Sequence, residues 1–242
     1  MDATTPPYEL PEEGPQPFLR LPWPVSVTAS LLLAVQLAMS FVPAAAADRL
    51  MIEYGFVPAR YSPAFLTAHN IDGGTLLERA LPFVTYVFLH ANWTHVVVNT
   101  LWLLAFGPVV ARRFGPWRFF AFFILCGIAG AVLYLLLNWA AIEPVVGASA
   151  AISGLMAAAF RLIGRDDAPG IPAEPPAPLF SRRIVLWSAI WVVLNIVAGM
   201  TGIGTGPGIQ LVAWQAHLGG FAAGLLLTGL FDPLNRLKPA PL

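Results

Sequence analysis

Four polar side chains lie in or at the ends of long apolar stretches, where their types suit a chemical role. Ser149 and His217 offer a hydroxyl and an imidazole, which together can act as a nucleophile and its general base. His95 and Asn99 are four residues apart, so on a helix they lie one turn apart on the same face. Ordinary alternatives exist, because a serine at a helix start is usually a cap and a lone membrane histidine usually bonds a neighbouring helix. Their role therefore depends on the elements that position them.

The composition is that of a membrane protein. Hydrophobic residues make up 57% of the 242 residues, charged residues only 11%, and the mean hydropathy is +0.71. A soluble domain carries about 25% charged residues. The net charge of zero lacks the basic excess that nucleic-acid binding requires, so no nucleic-acid partner is expected. The single cysteine, Cys126, lies in an apolar run and is interpreted as a buried packing residue.

The apolar residues group into about six stretches long enough to cross a bilayer as helices. We therefore predict an all-α polytopic membrane protein with a six-transmembrane-helix bundle. Lys and Arg residues near the span ends concentrate on one side, so both termini are expected to be cytoplasmic. The predicted spans are 25–47, 94–110, 117–139, 145–163, 184–202 and 211–230.

The segments outside the spans differ in composition. Residues 1–24 are acidic and proline-rich and are predicted to form a flexible tail, and residues 233–242 a short C-terminal tail. The long loop 48–93, which faces outward in this topology, is predicted to be structured by short helices in the headgroup region. The proline-rich segment 164–181 is predicted to be a solvated cytoplasmic linker. Residues 201–208 are glycine-rich without the lysine of a phosphate loop, which favours a mobile cap.

The alternating direction of the spans brings the four polar residues to one level. Spans two, four and six all run inward, so Ser149, His95, Asn99 and His217 are expected in one layer near the outer face. Spans four and six also carry small residues at every fourth position, which allows helices to approach closely in lipid. Ser149 and His217 are therefore a candidate nucleophile and base. The small residues are Ser149, Ser153 and Ala157 in span four and Ala216, Gly220 and Gly224 in span six.

Carboxylates are missing from the predicted spans. A Ser–His–Asp triad therefore cannot be completed within them, and the chemistry would use a Ser–His dyad. The sequence also has no HExxH motif and only sparse histidines, so we expect neither a metal site nor another cofactor.

Three motifs in chain order resemble those of the rhomboid intramembrane serine proteases in their basic six-span, bacterial-type form. The resemblance covers about residues 25–232. It implies that Ser149 is the nucleophile, that His217 is its base, and that the side chains of His95 and Asn99 donate to the oxyanion. The motifs are FLHANWTHVVVN at 88–99, GASAAISG at 147–154 and AHLGGFAAG at 216–224.

The same resemblance extends to the residues around the pair. Gly147, Gly220 and Gly224 are similar to glycines that allow close helix packing at the family's site. The Trp–Arg pair common in the family's long outer loop has no clear counterpart around Glu78 to Pro82, and the sequence departs from the family pattern at two further positions. Ala150 directly follows the predicted nucleophile where glycine is common, and Ser153 stands where many members carry an aromatic residue that stacks on the base.

The leading hypothesis is an intramembrane serine endopeptidase that cleaves transmembrane segments of membrane proteins near their outer ends. Its expected partners are these substrates and the lipid bilayer, and its expected location is the bacterial inner (plasma) membrane. Two alternatives stay open. A catalytically silent scaffold could bind transmembrane helices, and a six-span transporter would be expected to show charged or broken helices at the bilayer midplane.

Overall fold

The computed structural model describes residues 21–165, 174–201 and 213–236, and these contain ten α-helices. Short 3-10 helices lie at Pro58–Tyr61, Tyr86–Phe88 and Pro233–Arg236. Within the described ranges, strand-like pairing is limited to one bridge between Phe56 and Val145. The α-helices are α1 (Trp23–Met39), α2 (Ala44–Tyr54), α3 (Pro63–Ala68), α4 (Leu76–Ala80), α5 (Pro82–Thr85), α6 (Trp93–Phe114), α7 (Pro116–Leu137), α8 (Ser149–Leu162), α9 (Arg182–Thr201) and α10 (Trp214–Phe231).

The helices have the length and surface of membrane spans. Among the described helices, α6, α7 and α9 are long and apolar enough to cross a membrane by length and composition, and α1 and α8 are apolar but shorter. Large apolar side chains such as Leu101, Leu136 and Leu194 are exposed on the long helices, as expected for surfaces that contact lipid. The predicted fold class, an all-α polytopic membrane protein, is confirmed. The count of six spans stays a prediction.

The first span is shorter than predicted. The sequence suggested a span over 25–47, but α1 ends at Met39 and a separate helix, α2, begins after Pro43. Proline has no N–H to donate, and its ring clashes with the carbonyl four residues earlier, so a continuous helix through Pro43 is disfavoured. None of the α2 residues is buried. The expectation of a structured segment between the first two long spans is confirmed, because α2 to α5 occupy it.

An aromatic cluster fixes this segment onto the helical bundle. The Phe56 ring lies 5.4 Å from that of Tyr61 and 4.8 Å from that of Phe83, measured between centroids. The buried Tyr86 hydroxyl donates to the Gly127 carbonyl of α7 at 2.6 Å. Phe56 and Val145 exchange two backbone hydrogen bonds of 2.9 Å each. The segment therefore supports both α7 and the chain that leads into α8.

The central helix of the bundle is α8. Every α8 residue except Ser149 and Phe160 is buried, and α6, α7 and α10 pack around it. Its many alanine, glycine and serine residues make it thin enough for neighbouring backbones to approach. A methyl group added to Gly154 would meet the Cys126 side chain of α7, and one added to Gly224 would meet the Gly154 carbonyl. Cys126 is accordingly a free, fully buried packing residue.

Arginines join the helices at the end of the bundle opposite Ser149. Arg113 at the end of α6 forms a buried ion pair of 2.9 Å with Asp232, which follows α10. Arg161 of α8 donates to the carbonyls of Ala177 and Leu225 at 2.8 and 2.6 Å. The solvated linker over 164–181 stays a prediction. Ala177 is buried and donates its N–H to the Arg161 carbonyl, whereas Glu174, Pro175 and Phe180 are exposed.

Several predicted segments lie wholly or partly outside the described residues. They are the N-terminal tail up to residue 20, linker residues 166–173, the glycine-rich segment 202–208 and the C-terminal residues 237–242.

Candidate active site

Two helix starts bring a serine and a histidine into contact. Ser149 is the first residue of α8, and His217 lies in the first turn of α10. The Ser149 Oγ and the His217 Nε2 are 2.6 Å apart, a hydrogen-bond distance, although 68 residues separate them in the chain. Both residues are only partly buried. The structure therefore brings together the two residues that the sequence suggested as nucleophile and base.

Glycines in α10 make this approach of the two helices possible. A Cβ atom on Gly220 would meet the Ala150 carbonyl oxygen and would lie 2.6 Å from the carbonyl carbon. A Cβ atom on Gly224 would lie 2.6 Å from the Gly154 Cα. No side chain fits between the helices at either position. The backbones of α8 and α10 are consequently in direct contact one turn beyond the Ser149–His217 pair.

A third polar residue, which the sequence analysis missed, completes the arrangement. Asn195 of α9 is buried, and its Oδ1 lies 2.7 Å from the His217 Nδ1. Its Nδ2 donates to the Trp214 carbonyl at 3.0 Å. The signal was a lone amide within the apolar run WVVLNIVAG, but unlike Asn99 it has no histidine one turn away on its own helix to draw attention to it.

The loop before Ser149 is held by several independent contacts. The Gly147 N–H donates to the Tyr86 carbonyl at 2.9 Å, and the Ala148 N–H contacts the His90 Nε2 at 3.4 Å. Burial lowers the pKa of His90 from 6.5 to about 3, so the ring is neutral at neutral pH and its nitrogen can accept. Gly147 has a φ of +120°, a backbone conformation that residues other than glycine rarely adopt. These contacts fix the backbone that presents Ser149.

His95 lies beside this glycine. A Cβ atom built on Gly147 would be 2.8 Å from the His95 Nε2 and 3.8 Å from the Ser149 Oγ. The His95 ring and the serine hydroxyl thus border the same small space, and a side chain at residue 147 would fill it. The glycine keeps open the position next to the serine where a reacting carbonyl group could sit.

Asn99 is buried one turn further along α6. Its Nδ2 donates to the His95 carbonyl at 2.9 Å, so one amide hydrogen is used within its own helix. The amide has a second hydrogen, which is free to point elsewhere. Asn99 therefore lies next to His95, as the spacing predicted, and its part in an oxyanion site stays a prediction.

The structure shows the contacts of Ala150 and Ser153, the two residues beside Ser149 that depart from the expected family pattern. Ala150 is buried, and a Cβ atom built on Gly130 of α7 would lie 2.5 Å from the Ala150 methyl group. The methyl group therefore points towards α7 and fills the space that Gly130 leaves. Ser153 is buried and donates to the Ser149 carbonyl of its own helix at 2.7 Å.

Comparison with known proteins identifies the family. The family model described as "Rhomboid domain" matches residues 78–232, more than half of the chain. The chain belongs to the rhomboid family. The matched region of this rhomboid contains α6 to α10 and all of the site residues described above.

Relatives of this rhomboid include proteins of a plant and of a bacterium. RHOMBOID-like protein 1 of Arabidopsis thaliana is 27% identical over 239 residues, which cover 89% of this chain and 55% of the relative. RHOMBOID-like protein 4 of the same plant is 31% identical over 140 residues, 58% of this chain and 31% of the relative. Rhomboid protease GluP of Bacillus subtilis (strain 168) is 26% identical over 141 residues, 58% of this chain and 24% of the relative. The chain spans between about a quarter and about half of the length of these relatives.

The site of this rhomboid suits general-base chemistry on a serine. The imidazole Nε2 is within hydrogen-bond distance of the hydroxyl, which is the geometry that a base needs to accept the hydroxyl proton. The first N–H groups of a helix have no intrahelical acceptor, so the start of α8 offers donors beside Ser149. Among the residues that the structure describes, no three His, Cys, Asp or Glu side chains come together as metal ligands.

Proposed function

We propose that this rhomboid is an intramembrane serine endopeptidase whose nucleophile is Ser149 and whose base is His217. The observation that carries the proposal is the 2.6 Å contact between the Ser149 Oγ and the His217 Nε2 at the starts of two packed helices. Support also comes from relatives that are named as proteases, including Rhomboid protease GluP and Rhomboid-type serine protease 2.

The proposed reaction proceeds through an acyl-enzyme. The Ser149 Oγ attacks the carbonyl carbon of the scissile bond while its proton moves to the His217 Nε2. The tetrahedral intermediate collapses, the C–N bond breaks, and His217 returns the proton to the leaving amine. Water then attacks the acyl ester and gives a proton to His217, the ester C–O bond to Ser149 breaks, and His217 returns the proton to the Ser149 Oγ as the carboxylic acid product leaves.

The negative charge on the carbonyl oxygen needs donors at a fixed position. We assign the Ser149 N–H and the side chains of His95 and Asn99 to this role. His95 supports it by lying next to Gly147, and Asn99 by its place one turn along the same helix. Removing one preorganised donor typically lowers the rate about 10² to 10³-fold. His95→Ala and Asn99→Ala should therefore lower kcat by about this factor, and an equal loss of substrate binding would contradict the assignment.

The proposed substrates are transmembrane segments cut near their outer ends. Peptide hydrolysis needs water, and both Ser149 and His217 lie at helix starts, near one surface of the bundle, where water is available. The excess of basic residues at the opposite ends of the helices supports cytoplasmic termini and an outward-facing site. The proposed location is a bacterial inner membrane. External protease should leave the linker 164–181 intact in sealed cells and cut it only after the cytoplasmic face is opened.

The decisive experiment is cleavage of a transmembrane substrate by the purified protein in liposomes. Ser149→Ala and His217→Ala should each abolish cleavage while substrate binding persists. Ser188→Ala of α9 is a matched control, because the described part of the chain gives its buried Oγ no hydrogen-bond partner. Cleavage that persists in Ser149→Ala would overturn the mechanism. Binding without cleavage by every form, wild type included, would favour the helix-binding scaffold.

A further inference from the structure

Asn195 is a buried polar residue within an apolar helix, a position where an amide costs free energy. It lies within α9, which is apolar enough to span a membrane, and it is 9% exposed. An amide taken out of water costs free energy unless its hydrogen-bonding groups are satisfied. Both polar atoms of its side chain have partners in the first turn of α10, the Trp214 carbonyl and the His217 Nδ1. The residue is therefore matched to this helix start.

The partner atoms decide which way the Asn195 amide faces. The Trp214 carbonyl can only accept, so the amide atom 3.0 Å from it is Nδ2, and Oδ1 faces the His217 Nδ1. Because Oδ1 can only accept, the neutral imidazole carries its proton on Nδ1. The His217 Nε2 is then a free acceptor 2.6 Å from the Ser149 Oγ. The contacts select the tautomer that a general base requires.

The acceptor that orients Asn195 is itself fixed. Trp214 packs against Gly199, which lies one turn after Asn195 on the same face of α9, and a Cβ atom on Gly199 would be 2.7 Å from the Trp214 Cβ. Two points of contact thus hold the start of α10 against α9. The Asn195 side chain has little freedom to rotate away from the imidazole.

We propose that Asn195 is a positioning residue for the base, so that Ser149, His217 and Asn195 act as a serine–histidine–asparagine unit. The proposal rests on the proposed peptidase function. Asn195 does not touch the reacting atoms. It holds the imidazole in one tautomer and one orientation, and its Oδ1 accepts from the Nδ1–H of the imidazolium that forms after proton transfer. An ionised carboxylate could do the same, but burying its charge within a span would be costly.

A purely structural amide is the alternative that a test must separate. Hydrogen bonds between helices stabilise membrane proteins without any effect on chemistry. Kinetic constants, pH profiles and the ring tautomer distinguish the two roles, since a structural bond alters stability but not the protonation of His217. Among the described residues, His95 is the other ionisable group whose charge would affect the protonation of His217, and the variants below leave His95 unchanged.

The test compares Asn195→Leu and Asn195→Asp in the full chain in liposomes, with Ser188→Ala as the control on the same helix. Asn195→Leu should lower kcat by about 10 to 100-fold with little change in KM, the range typical when a partner that orients a metal-binding histidine is removed. Asn195→Asp keeps an acceptor at Nδ1 and should retain more activity. A carboxylate favours the charged imidazole, so the acidic limb of its kcat/KM profile should move to higher pH.

A second readout does not depend on activity. The ¹⁵N resonances of the His217 ring, assigned by comparison with His217→Gln, should show the Nδ1–H tautomer in the wild type and a mixture in Asn195→Leu. The proposal is overturned if Asn195→Leu keeps both the wild-type kcat and the single tautomer. It is also overturned if Asn195→Asp loses as much activity as Asn195→Leu with an unshifted acidic limb. An inactive wild type that shows the expected tautomer change would refute the peptidase function and leave the role of Asn195 standing.

Discussion

The contact between α8 and α10 allows a quantitative prediction for Gly220→Ala. The new Cβ atom would lie 2.6 Å from the Ala150 carbonyl carbon and 3.1 Å from the Ala150 Cα. Carbon atoms in van der Waals contact are about 3.5 to 4.0 Å apart, so the helices must separate by about 1 Å. Such overpacking typically costs about 1 to 3 kcal/mol of the free energy of unfolding.

This separation acts directly on the proposed catalytic pair. Ala150 follows Ser149, and Gly220 is three residues after His217, so the Ser149 Oγ and the His217 Nε2 move apart with their helices. A misplacement of about 1 Å at a reacting group can lower the rate about 10²-fold. Gly220→Ala should therefore reduce kcat far more than it changes KM. The loss of rate should be large even where most of the protein is still folded.

Two measurements in liposomes or detergent separate these effects. Turnover of a transmembrane substrate gives kcat and KM, and maleimide labelling of Cys126 gives the stability. Cys126 is buried and is the single cysteine of the sequence, so it reacts when the bundle opens. Ala222→Val is a control on α10, because residue 222 is exposed. Wild-type kcat together with wild-type labelling in Gly220→Ala would refute the reasoning about the helix contact.

Two further predictions concern other contacts of the bundle. Ala150→Gly removes a methyl group that faces Gly130 of α7, so kcat should stay within a few-fold of wild type. The free energy of unfolding should fall by about 1 kcal/mol, the typical cost of deleting a small buried group. A kcat loss of 10²-fold or more would show that the methyl group serves the site. Arg113→Met leaves the buried Asp232 carboxylate without its ion-pair partner. The free energy of unfolding, measured by Cys126 labelling, should fall by about 3 to 5 kcal/mol, and the double variant with Asp232→Leu should recover part of this loss. Equal stability of the single and double variants would contradict a buried ion pair.

Sequence patterns were informative where packing depends on small residues. The four-residue spacing of Gly220 and Gly224 predicted a close approach of spans four and six, and the backbones of α8 and α10 are in contact at both glycines. The direction of each span was inferred from the basic residues at the span ends, and it placed Ser149 and His217 at one level, although the predicted spans began at 145 and 211 and the helices begin at Ser149 and Trp214. Their 2.6 Å contact follows from these two features, and its catalytic role stays a proposal.

Contacts between side chains and backbone groups distant in the chain could not be predicted from the sequence. The docking of Ala177 depends on Arg161, whose guanidinium reaches across to its carbonyl, and proline content alone suggested a solvated linker. The break after Met39 was missed because the hydropathy of the run continues past Pro43, although the proline ends the helical hydrogen bonding. Asn195 was missed because its importance comes from its partners on α10, which no spacing within α9 reveals.

The surroundings of Ser153 and Asn195 indicate how the proposed base, His217, can be oriented within a membrane without an acid. By the family resemblance, an aromatic residue at position 153 would stack on the imidazole from α8. Ser153 has no ring to stack and donates to the Ser149 carbonyl instead. Asn195 contacts the ring from α9 through a hydrogen bond. A hydrogen bond fixes both the ring orientation and the tautomer, whereas stacking fixes the ring plane alone. In the proposed mechanism, the orientation of the base therefore depends on how α9 packs against α10, and changes that loosen this packing, such as replacing Gly199, should affect catalysis through His217.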